Sequence, residues 1–102
     1  MDVVKELYLS QGITDKKARG IIKKVNKGKY DGLYHFLIQR SSSKNPLEIV
    51  DIHELGRMMN RNENIRLVGL AEDMGEAVEL VRVLIDDVYQ ATLDVNLNSY
   101  FS

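Results

Sequence analysis

Two histidines, His35 and His53, and an acidic run of Glu72, Asp73, Glu76 and Glu79 are the side chains whose types could perform chemistry in this 102-residue chain. The histidines stand eighteen residues apart and outside any two-histidine helical spacing. With no Cys in the chain, a metal site would need distant carboxylates to complete it. His35 is therefore read as a residue of a sheet face and His53 as one in the first turn of a helix. The acidic run lacks the alternation of a calcium loop, and helix capping with a solvated face accounts for it. Ser41-Ser42-Ser43 has neither a glycine elbow nor a base partner. Gly28-Lys29 and Gly32 match no phosphate-loop spacing. No catalytic residue, metal ligand or cofactor site is implied, and the chain is expected not to be an enzyme.

Charge is more informative. Residues 1–45 carry ten bases against four acids, and residues 46–102 carry four against eleven, so a net charge of −1 conceals a dipole along the sequence. Seven bases, Lys16, Lys17, Arg19, Lys23, Lys24, Lys27 and Lys29, lie in one stretch. Such a segment can attract phosphates, and the acidic half can attract a basic partner.

Elements must position these charges. Thr14 can cap a helix running to Gly28, with Ala18, Ile21, Ile22 and Val25 on one side and the bases opposite. Gly20 interrupts its wet side, which is costly unless something approaches the backbone there. Before it, Asp2 can cap a short helix carrying Val3, Val4 and Leu7. The segment Leu33–Gln39 fits both helical and strand periods. Strand is preferred, because Leu47-Glu48-Ile49-Val50 can pair back across the serine-rich loop. Asp51 with Glu54 and Asp73 with Glu76 are capping boxes that open a short helix over Ile52–Asn60 and a long one over Met74–Ala91. Between them Ile65–Ala71 reads as a strand. Met58, Met59 and Met74 are read as core fillers.

The expected fold is α+β, a small three-stranded sheet covered by helices in the order α-α-β-β-α-β-α, with an all-α bundle as the alternative. One domain is expected: a basic helical pair over 1–29, an α+β core over 30–92 and a tail over 93–102. The absence of an 18-residue apolar run and of a signal-like N-terminus points to a cytoplasmic protein without membrane contact.

Two function classes follow. The first is a non-catalytic interaction or regulatory protein that docks a protein partner, or a second copy of itself, through the acidic, apolar C-terminal helix. The tail residues Leu97, Tyr100 and Phe101 would be its anchors, since Val95 and these three are apolar where termini are usually polar. The second is a nucleic-acid binder that lays the seven-base face along phosphates, with Tyr30 and Tyr34 beside it as stacking rings. Taken singly, each tyrosine is more simply a rim residue of the core.

Overall fold

A four-stranded mixed sheet with the spatial order β1-β4-β2-β3 divides the molecule into two helical layers. The computed structural model describes residues 1–41, 44–92 and 97–101. Ser42, Ser43 and Val95, named above, lie outside the described residues. The strands are β1 (Asp2–Leu9), β2 (His35–Arg40), β3 (Glu48–Asp51) and β4 (Ile65–Ala71). The helices are α1 (Asp15–Asn26), α2 (Ile52–Asn60), α3 (Met74–Thr92) and the five-residue α4 (Leu97–Phe101).

The α+β class is as expected, but the sheet has four strands, not three. The element that overturns the expectation is the first: residues 2–9 form a strand where a helix was expected. The physical reason is a partner some sixty residues distant. Parallel pairing sets Val3 against Leu67 and Leu9 against Leu70, which satisfies the backbone without a helix. A helix would have shown one apolar side. Instead Leu7 and Leu9 pack on the α1 and α2 side while Val4 and Tyr8 pack on the α3 side. The register slips between Val3 and Tyr8, and this irregularity erases the two-residue alternation that marks a strand in sequence.

The two central strands explain the layering. In β4, Leu67 and Leu70 face one core and Val68 and Ala71 the other; in β2, Phe36 and Ile38 oppose Leu37. A strand buried on both faces reads as a nearly continuous apolar run, as Ile65–Ala71 does. On one side Ala18, Ile21 and Val25 of α1 meet Ile52, Leu55 and Met58 of α2. On the other, Ala77, Leu84 and Val88 of α3 and Leu97 of α4 close a separate core.

Local signals hold at the helix starts. Thr14 Oγ1 accepts from Lys17 N at 3.2 Å, Asp51 Oδ1 from Glu54 N at 2.8 Å and Asp73 Oδ1 from Glu76 N at 2.8 Å. Gly28, at φ 80°, takes the left-handed conformation that follows a helix end. The preferred strand over residues 33–39 is β2, displaced to His35–Arg40, and β3 pairs with it antiparallel. Gly69 sits where Tyr8 and Leu37 crowd β4; a Cβ there would lie 3.0 Å from the Tyr8 carbonyl oxygen.

Candidate functional site

Because α1 and α3 occupy opposite sides of the sheet, the α1 bases and the α3 acids do not face each other. Lys16, Lys17, Arg19, Lys23, Lys24, Lys27 and Lys29 are all exposed. None of them forms an ion pair among the described residues. Four arginines behave differently. Arg40 reaches Glu48 at 2.6 Å and Glu63 at 2.9 Å; Arg61 continues to Glu63 and Glu54, and Arg57 also joins Glu54. Arg82 is paired with Glu79. These arginines brace the structure, while the α1 lysines are left for solvent or a ligand.

The base network has consequences for protonation. Hydrogen bonds from Arg61 and then Arg40 hold the Glu63 carboxyl below its usual value, and Glu48 followed by Glu63 keeps the Arg40 guanidinium protonated. The amide of Glu54 lowers Asp51 in the same sense.

One concavity interrupts the α1 face. Lys17, Gly20 and Lys24 recur three and four residues apart on one shoulder of the helix, a spacing that aligns side chains. Opposite them the chain leaving α1 brings Lys29, Asp31 and Tyr34 back against that shoulder, and Ile21 with Ile52 closes the floor of a hollow of about 340 Å³. The Lys17 ammonium stands 5.8 Å from the centroid of the Tyr34 ring, within cation–π range. A Cβ on Gly20 would meet nothing within 4 Å. The two tyrosines beside the basic helix thus part company: Tyr30 packs its ring against Gly56 of α2, where a Cβ would lie 2.8 Å from it, and of the two only Tyr34 lines the hollow.

The acidic side presents an apolar surface instead. At about 100° per residue, Met74, Val78, Ile85 and Tyr89 fall within roughly 60° of arc on α3. Met74 is 49%, Val78 55% and Tyr89 50% exposed. The wide apolar arc of this helix is therefore only partly covered by the sheet.

The tail residues are engaged within the fold. Leu97 is 2% exposed and belongs to the α3 core, so it has no surface to offer a partner in this conformation. Tyr100 and Phe101 are half-buried with their rings edge to face at 5.1 Å. The Tyr8 hydroxyl donates to Asp87 Oδ2 at 2.7 Å and lies 3.0 Å from the Tyr100 hydroxyl, fastening α4 to α3 and β1. Burial, with Tyr100 and Asp87 adding to it, pushes the Tyr8 phenol well above its ordinary value.

His35 pairs with Asp51 and Ala71 across β2, and its Nδ1 is buried without a hydrogen-bond partner among the described residues. His53 lies in the first turn of α2. In the acidic run, Asp73 caps α3, Glu79 holds Arg82 and the Glu72 carboxylate lies over Gly12. Among the described residues no three His, Asp or Glu side chains converge as metal ligands, and no helix is long and apolar enough to cross a membrane. No protein-family model matches the chain, and no curated protein or solved structure matches it either.

Sequence reasoning did not reach the hollow. Its cations, Gly20 and Tyr34 were visible separately, but Asp31, Ile21 and Ile52 join them only through the return of the 29–34 segment.

Proposed function

We propose that this protein is a small non-catalytic interaction protein that docks a partner on α3. The observation that carries this reading is the exposed apolar stripe of Met74, Val78 and Tyr89, extending about 22 Å along the helix at 1.5 Å per residue. Exposed apolar residues gathered in one strip mark association surfaces more than scattered ones do. Arg82 borders the stripe, with Asp86 and Glu79 beyond it and Glu79 paired to Arg82, so this edge is acidic by one net charge. A symmetric pairing of two α3 helices would bring two such net-acidic edges together, which opposes docking. The partner therefore carries an apolar strip with basic flanks, and an amphipathic helix meets that description. Leu97 is buried in the α3 core, and Tyr100 is held by Tyr8 beside Asp87 on the other side of α3 from the stripe, so the stripe and not the tail is the docking surface in this reading.

The test pairs light scattering at two concentrations with titration of two synthetic amphipathic helices, one Leu/Lys and one Leu/Glu. A monomer that binds the Leu/Lys helix, and loses it on Val78→Asp, supports the reading. A dimer broken by Val78→Asp, or equal binding of both helices, refutes it.

Nucleic-acid binding through α1 is the second reading, favoured by seven exposed cations with no carboxylate partner among the described residues. It predicts affinity for unrelated strands that falls steeply with salt.

A further inference from the structure

The hollow beside Gly20 has features that a general basic surface does not need. Three lysines, Lys17, Lys24 and Lys29, line it together with a single acid, Asp31. Their sum is two positive charges, the complement of a phosphate monoester, which carries close to two negative charges at neutral pH. Lysine supplies point charges that a phosphate accepts without a fixed fork geometry. At Gly20 the α1 shoulder has no side chain, and a Cβ would fill space that nothing else occupies. A ligand can therefore approach the helix backbone between Lys17 and Lys24.

The other walls are not cationic. Tyr34 contributes an aromatic ring, and Ile21 and Ile52 contribute an apolar floor. A ring of this kind stacks a flat heterocycle, and the Lys17 ammonium now resting 5.8 Å from it is held by an attraction that a phosphate would exceed. Asp31 offers oxygens that accept from sugar hydroxyls. Phosphate, hydroxylated sugar and flat base are the parts of a nucleotide. A volume of about 340 Å³ lies at the small end of ligand pockets and suits one such unit.

We propose that the hollow between α1, the 29–34 segment and the start of α2 binds a single nucleotide, its phosphate held by Lys17, Lys24 and Lys29 and its base against Tyr34. The same chemistry is offered by a free mononucleotide and by the terminal nucleotide of a 5′-phosphorylated single strand. This site lies across the sheet from the α3 stripe, so it stands or falls independently of partner docking there.

The intact protein is titrated by calorimetry and NMR at low salt with adenosine 5′-monophosphate, adenosine, ribose 5-phosphate, and a ten-nucleotide strand with and without a 5′-phosphate. Adenosine 5′-monophosphate is expected to bind with Kd of about 1 mM or tighter, and adenosine and ribose 5-phosphate each about tenfold more weakly. Its base protons should show ring-current shifts that Tyr34→Leu abolishes. Lys24→Gln should weaken binding about tenfold, whereas Lys44→Gln, outside both the hollow and the α1 face, should change it by less than about twofold. Gly20→Ala should weaken binding without unfolding the protein, and circular dichroism of each variant separates lost binding from lost fold. Preference for the phosphorylated strand over the monophosphate assigns the site to a strand end; the reverse order assigns it to free nucleotide. Equal binding of the monophosphate and ribose 5-phosphate, equal effects of the Lys44 and Lys24 substitutions, or no binding of either the monophosphate or the phosphorylated strand would overturn the proposal.

Discussion

Replacing Gly20 and Gly56, separately, with Ala tests the packing argument with one chemical change of opposite expected sign. Both residues lie inside helices, α1 and α2, and each is a weak helix former whose replacement by Ala gains roughly 0.5–1 kcal/mol where nothing interferes. At Gly20 nothing does: the added methyl would have no neighbour within 4 Å. The Gly20→Ala protein should therefore be more stable by about 0.5–1 kcal/mol, a melting shift of roughly +2 to +8 °C for a domain of this size. At Gly56 the same methyl would lie 2.8 and 2.9 Å from Cδ2 and Cγ of Tyr30. Those atoms are at the root of a ring that packs against the core, so relief requires moving the 29–34 segment and not only a flexible tip. Overpacking of this kind costs about 1–3 kcal/mol, which exceeds the propensity gain and leaves Gly56→Ala destabilised by up to about 2 kcal/mol. Thermal and urea unfolding of both variants beside the parent supply the comparison. Stabilisation of both, or of Gly56→Ala alone, would refute the placement of Tyr30 over α2, and with it the course of the loop that builds the hollow.

Tyr8→Phe removes the hydroxyl shared with Asp87 and Tyr100 and should cost about 1–2 kcal/mol, with hydrogen exchange rising more in α4 than in β4. Leu84→Ala, at a fully buried position of the α3 core, should cost about 2–5 kcal/mol by urea unfolding; a cost under about 1 kcal/mol would mean that α3 does not seal this face. Stability should also depend on pH at both extremes. Asp51 and Glu63 have folded-state values below the ordinary ones, so their contribution is complete above about pH 4–5 and is lost as pH falls through the lowered values. Tyr8 is raised, so its contribution is complete below about pH 10 and is lost as pH rises beyond it. A melting temperature flat from pH 3 to pH 11 would contradict both assignments.

What the sequence determined by itself is whatever depends on neighbours a few residues apart. Thr14, Asp51 and Asp73 cap α1, α2 and α3 because a side-chain oxygen reaches an amide three residues on, and no distant contact is needed. The run Ile65–Ala71 also read as a strand, with a helix as the alternative, and its nearly continuous apolar composition suits burial on both faces. The exposure of the α1 bases followed from helical period alone. Tertiary structure decided the rest. Residues 2–9 carry no clean period because β1 borders two cores and slips register against β4, so only a partner sixty residues away reveals a strand. Leu97, Tyr100 and Phe101 were legible as apolar but not as covered, since their cover comes from α3 and from Tyr8 at the opposite end of the chain. That the α1 bases do not face the α3 acids was decided by placing the two helices on opposite sides of the sheet. The connection that sends a helix to one side or the other depends on strand order and handedness, and strand order is a property of pairings that no local spacing encodes.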